Sequence, residues 1–78
     1  MSDIMDRITT IIRELGKLPA IGPDDDIYAA GFSSVRALEL LLELESAFEV
    51  SIPDDSFTEA RTPKDFDAMI AQLRAESR

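Results

Sequence analysis

Four prolines, Pro19, Pro23, Pro53 and Pro63, divide the chain, and the long stretches between them repeat apolar residues at helical spacing. A proline inside a helix removes a hydrogen bond and clashes with the preceding turn, so these positions set where helices can run. From Asp3 onward, Ile4, Ile8, Ile11, Ile12 and Leu15 recur among Asp6, Arg7, Arg13 and Glu14, the pattern of an amphipathic first helix. Gly16 and Lys17 suit its C-terminal end, and Pro19, Gly22 and Pro23 forbid continuation through the following connection. A connection longer than about a dozen residues is uncommon in a small domain and carries function or buries its own side chains. Ile21, Ile27, Tyr28 and Phe32 are the candidate anchors.

The second helix is predicted from about Ser34 to Phe48, with Ser33 as N-cap. At about 100° per residue, Ala37, Leu40, Leu41, Leu44 and Phe48 form one broad arc that can face a core. After Pro53, Asp54-Asp55-Ser56-Phe57 starts a brief third helix with both aspartates near its positive end. Thr62 then reads as an N-cap, Pro63 as the first helical residue and Asp65 as a first-turn acid, followed by Phe66, Met69, Ile70 and Leu73 at helical spacing. The expected fold is all-α. It is a small four-helix bundle of three longer helices and one short, with a long loop between helices 1 and 2, forming a single domain over residues 1–78.

Size and charge narrow the function. A chain of 78 residues without cysteine is near the lower limit for one unstapled hydrophobic core, and a deep substrate cleft is hard to build in it. Eight basic against sixteen acidic residues give a net charge of −8, which argues against nucleic acid and anionic membrane and for a protein partner with a basic patch. No run approaches the ~18 apolar residues of a membrane span, and Met1-Ser2-Asp3-Ile4 lacks a signal layout, so a cytoplasmic monomer is expected. No paired acid and base and no metal-ligand cluster stands out, so neither catalysis nor a metal is expected.

Two features of the second helix remain. Ser34 sits at its start in the run Gly31-Phe32-Ser33-Ser34-Val35, and the chain has no histidine or cysteine to activate it. It reads as an acceptor rather than a nucleophile, and free N–H groups at a helix start favour an anion such as a phosphodiester there. Val35, Leu38 and Leu42 form a second apolar stripe, bordered by Glu39, Glu45 and Glu49, that a simple bundle does not require. It either packs against the long loop or docks a partner. Read by themselves, Ser33-Ser34 also fit a plain capping pair on a small unmodified adaptor that binds a partner groove through this stripe.

Taken together, Asp25-Asp26-Ile27-Tyr28-Ala29-Ala30-Gly31-Phe32-Ser33-Ser34-Val35, then Glu39-Leu40, Leu44-Glu45, Phe48 and Ile52-Pro53-Asp54-Asp55, resemble the acyl carrier proteins over nearly the whole chain. The resemblance implies the four-helix fold of that family. It also implies that Ser34, and not Ser33, receives 4′-phosphopantetheine from coenzyme A through a separate phosphopantetheinyl transferase. The arm's thiol, which this chain cannot itself supply, would hold a cargo as a thioester. The implied further partners are an acyl- or aminoacyl-loading ligase and a downstream acyltransferase or synthase. These would meet a face made of Val35, Arg36, Leu38, Glu39, Leu42, Glu45, Asp54 and Asp55.

Three positions depart from the family pattern. Ser33 stands where aspartate is usual, Val35 where leucine is usual, and Arg36 puts a positive charge where fatty-acid-synthesis carriers tend to be acidic. Arg36 points to a specialised pathway, and the Gly-Phe-Ser-Ser run resembles stand-alone carriers that include aminoacyl carriers loaded by a dedicated ligase. An aminoacyl or peptidyl carrier is accordingly the alternative to an acyl carrier.

Overall fold

The computed structural model describes residues 3–76; Met1 and Ser2, which bear on the signal layout, lie outside the described residues. Helix α1 spans Asp3–Gly16, α2 Ala37–Phe48, α3 Asp54–Glu59 and α4 Pro63–Glu76, with a 3₁₀ turn over Ser34–Arg36 running into α2. No strand occurs among the described residues. The expected three long helices and one short one are present, and α1 packs against both α2 and α4.

The apolar stripes explain that packing. Ile8 and Ile12 of α1, Leu40, Leu44 and Phe48 of α2, Phe57 of α3, and Phe66 and Ile70 of α4 share one core. Burying each such side chain stabilises the fold by about 1.5–3 kcal/mol. No polar or charged side chain is buried among the described residues, so polar ties run around the rim. Arg7 Nη2 donates to the Ala47 carbonyl at 2.9 Å while its guanidinium lies 4.6 Å from the Phe48 ring centroid, tying α1 to α2. Helix α4 starts as its sequence demands: Thr62 Oγ1 accepts from Asp65 N–H at 3.0 Å, and Asp65 Oδ2 accepts from the N–H groups of Thr62 at 3.2 Å and Arg61 at 3.0 Å.

The long loop, residues 17–33, belongs to the core. Ile27 and Phe32 are buried, and Ile21 and Tyr28 pack half-buried against them, as their apolar character leads one to expect. Asp26 Oδ1 accepts from Tyr28 N–H at 2.9 Å and Ala29 N–H at 3.2 Å, which coils residues 26–31 into one tight turn. Gly31 completes that turn at φ 117°, a backbone angle that side-chain-bearing residues rarely adopt. Two backbone bonds join the loop to the start of α4, Ile27 N–H to the Arg61 carbonyl at 2.8 Å and Lys64 N–H to the Pro23 carbonyl at 3.0 Å.

Helix ends refine the sequence expectation. Lys17 (φ 55°) and Glu49 (φ 56°) hold the left-handed position after α1 and α2, and the next residues close each end through Leu18 N–H to Arg13 O and Val50 N–H to Glu45 O. Neither is glycine. Gly16 marks the end of α1 for another reason: a Cβ there would lie 2.5 Å from Phe32 Cδ2. Lys17→Gly should therefore raise stability by up to about 1 kcal/mol, by removing the left-handed strain. Gly16→Ala should lower it, although alanine is the better helix former by about 1 kcal/mol, because Phe32 must move. Urea midpoints of the two variants check both signs.

Candidate functional site

Phe32 is the last loop residue held by the core, and Ser33 and Ser34 follow it into solvent. Phe32 N–H donates to the Ile27 carbonyl at 2.9 Å, which fixes where the chain emerges. Ser33 is the expected cap, with Oγ accepting from Val35 N–H at 3.2 Å. The start of the second helix differs from expectation. Ser34–Arg36 form a 3₁₀ turn, and the α-helix begins only at Ala37. The turn also occupies the backbone donors: Val35 N–H goes to Ser33 Oγ, Arg36 N–H to the Ser33 carbonyl and Ala37 N–H to the Ser34 carbonyl. The expected anion site built from free N–H groups is therefore largely closed. The Ser34 side chain is exposed, and its hydroxyl has no hydrogen-bond partner among the described residues.

Beside Ser34 lies an open groove of about 500 Å³ lined by Tyr28, Phe32, Ala37, Phe57, Thr58 and Arg61. Its walls come from the long loop, the start of α2 and the α3–α4 segment. Tyr28 meets Phe32 edge-on at 6.2 Å between centroids, and Phe57 leans on Phe66 at 5.6 Å. The cation at its edge is Arg61, whose Nε donates to Asp26 Oδ2 at 2.7 Å and whose guanidinium stands 5.0 Å from the Tyr28 ring centroid. Hydrogen bonding from Arg61 holds the Asp26 carboxyl below its ordinary value, and the same bond raises the Arg61 pKa; burial pushes the Tyr28 hydroxyl up. Sequence reading missed Phe57, Thr58 and Arg61 as neighbours of Ser34. They lie more than twenty residues away along the chain, and no local pattern marks them.

The second apolar stripe is open to solvent. Val35, Leu38 and Leu42 are 87%, 64% and 55% exposed, which rules out packing against the long loop. Of the charges expected beside it, Asp54 and Asp55 are exposed in the first turn of α3, and Glu39 is exposed on α2. Arg36 Nη1 lies 3.3 Å from Glu39 Oε1, an exposed pair of little energetic weight. Glu45 is engaged elsewhere, since its Oε2 accepts from Ile52 N–H at 2.8 Å and pins the α2–α3 connector. No cluster of possible metal ligands occurs among the described residues, and no helix of the structure is long and apolar enough to cross a membrane.

The family model described as the phosphopantetheine attachment site matches residues 6–70. The chain belongs to that family. Members are cargo-bearing rather than catalytic proteins that carry covalently attached 4′-phosphopantetheine and work with partner enzymes. A curated relative is the aminoacyl carrier protein of Agrobacterium fabrum, 38% identical over 52 residues, a match that covers 62% of this chain and only 63% of that protein. Among solved structures, the acetyl actinorhodin acyl carrier protein of Streptomyces coelicolor is 25% identical with a TM-score of 0.68, covering 100% of this chain and 94% of that one. A non-covalent extended docking domain complex of the Pax NRPS (PaxA T1-CDD with PaxB NDD) shares the fold at a TM-score of 0.88 and 18% identity, covering 99% of this chain and 74% of that one. The four-helix fold of the acyl carrier proteins is thus the fold of this chain.

The site generates a pH prediction. Because the folded-state pKa of Asp26 is lowered, its pairing with Arg61 contributes stability above the unfolded carboxylate value of about 4, and the contribution is lost as pH falls through the folded value. Wild type should therefore lose thermal stability on acidification below about pH 4 more steeply than Asp26→Asn does. Equal slopes in the two proteins would show that the pair carries no linkage.

Proposed function

We propose that Ser34 Oγ is the attachment point of 4′-phosphopantetheine and that the protein, as one carrier domain, presents a thioester-bound cargo to partner enzymes of a specialised pathway. The observation that carries this reading is the Ser34 hydroxyl itself, exposed and unpartnered at the head of a 3₁₀ turn. The residues fit the group. The hydroxyl is accessible to an incoming enzyme, and the groove beside it has room and a cation for a phosphodiester-linked arm. When bound, the group supplies the thiol that a chain without cysteine lacks. This chain's part is to hold Ser34 outward. The chain has no histidine or cysteine, so the Oγ proton would leave to a base on the phosphopantetheinyl transferase as Oγ bonds to the pantetheine-side phosphorus of coenzyme A and the pyrophosphate P–O bond breaks, releasing adenosine 3′,5′-bisphosphate.

The likeness to an aminoacyl carrier protein supports an aminoacyl cargo, loaded by a dedicated ligase, over a fatty acyl one. Arg36 supports the same side, since a basic enzyme surface shaped for acidic carriers meets it as a like charge. The exposed Val35, Leu38 and Leu42 provide the apolar contact for transferase, ligase and downstream acyltransferase or synthase, with Glu39, Asp54 and Asp55 steering their approach. Glu45 adds background charge, its position set by Ile52.

Incubation with coenzyme A and a broad-specificity phosphopantetheinyl transferase should add the mass of one arm, mapped by tandem mass spectrometry to Ser34. Ser34→Ala should stay folded and unmodified. Modification at Ser33, or persistence in Ser34→Ala, would overturn the assignment. An unmodified wild type would return the chain to the adaptor reading. Leu42→Ala should lower kcat/KM of arm transfer about tenfold, equivalent to about 1.4 kcal/mol, without lowering the melting temperature. Glu39→Lys should slow transfer most at low salt, where charges are least screened. Unchanged kinetics in both variants would remove the docking face.

A further inference from the structure

Arg61 is held more firmly than its exposure requires. Its carbonyl accepts from Ile27 N–H, its backbone N–H donates to Asp65, its Nε donates to Asp26, and its guanidinium plane stands over Tyr28. Two elements, the long loop and the first turn of α4, thus fix one cation of the α3–α4 segment. An arginine presents five N–H donors in a rigid fork, and Asp26 takes the Nε–H, which leaves the terminal amino groups available. Arg61 lines the groove that Ser34 also lines. Arg36 is nearer to Ser34 in sequence, but it is not among the residues that line this groove, and its Nη1 faces Glu39.

On the reading that Ser34 bears the prosthetic group, we infer that Arg61 is the positioning residue for its phosphodiester. The terminal amino groups of Arg61 bind the phosphate oxygens while Asp26 and Tyr28 keep the fork aimed into the groove. A fork matched to two oxygens suits a phosphodiester monoanion better than a point charge does. In a chain of net charge −8, such a fixed cation also offsets the repulsion that a phosphate bonded to Ser34 meets from the carboxylates around it. The arm then leaves Ser34 along the groove between Tyr28, Phe57 and Thr58 instead of extending freely into solvent.

The test compares apo and holo full-length protein, with holo formation first confirmed by intact mass. In wild type, the ¹⁵N–¹H signals of the Arg61 guanidinium should shift between apo and holo, and the ³¹P signal of native holo protein should be displaced from that of the same protein unfolded in urea. Arg61→Gln should bring the ³¹P signal onto the unfolded value, Arg61→Lys should restore part of the displacement, and Arg36→Gln should leave it intact. Added salt should reduce the displacement in wild type. A native ³¹P signal equal to the unfolded one, with Arg61 signals unmoved, overturns the inference and leaves Ser34 attachment standing. A collapse caused by Arg36→Gln and not by Arg61→Gln overturns it too. Absence of the mass gain removes the attachment reading and this inference together. The apo-to-holo comparison in wild type decides the matter even where Arg61→Gln fails to fold.

Discussion

The hydrogen bond from Ile27 N–H to the Arg61 carbonyl, 2.8 Å long and backed by full burial of the Ile27 side chain, is the tie on which the arrangement depends. A loop over residues 17–33 is costly to order in a chain this small, and turn propensity alone does not offset that cost. Ile27 and Phe32 offset it by entering the core, while Asp26 coils the backbone between them and bonds across to Arg61. The loop thereby becomes a rigid part of the bundle. Its last buried residue, Phe32, then sets where Ser33 and Ser34 emerge.

What emerges is a short stretch in which the Val35, Arg36 and Ala37 N–H groups are taken up by the turn and its cap while the Ser34 hydroxyl is not. Ser33 spends its hydroxyl on Val35 N–H, the 3₁₀ turn closes the next two donors, and Ser34 Oγ is left over. Immediately beyond it, Val35, Leu38 and Leu42 leave apolar area in water that the core does not use. A free hydroxyl, an apolar stripe and exposed carboxylates on α2 and α3 on one molecule suit a protein handled by other enzymes. Membership of the phosphopantetheine attachment family gives that surface its context.

Helices and core were legible from the chain because a period of 3.6 leaves a direct trace. Ile8, Ile12, Leu40, Leu44, Phe66 and Ile70 are all fully buried where the pattern put them, and Thr62-Pro63 starts α4 as capping chemistry requires. The site was legible only in part. Ser34 and its stripe were visible because an apolar residue off the core arc is conspicuous on a helix. The 3₁₀ start was not, since three residues carry no periodicity that separates i+3 from i+4 bonding. Glu45 looked like a surface charge because its partner is a backbone N–H seven residues on. Arg61 was invisible for the same reason: 35 residues separate it from Asp26, and only the fold brings the two together.

If the loop is part of the core, its amides must share the core's protection. Native-state hydrogen exchange at Ile27 and Phe32, whose N–H groups bond to Arg61 O and Ile27 O, measures this directly. Both should exchange about as slowly as the amides of Leu40 and Leu44 within α2, opening only when the whole bundle opens. Exchange at Ile27 and Phe32 near the rate of an unstructured peptide, with α2 still protected, would mean the loop opens by itself and that Ser34 is not held in place by the fold.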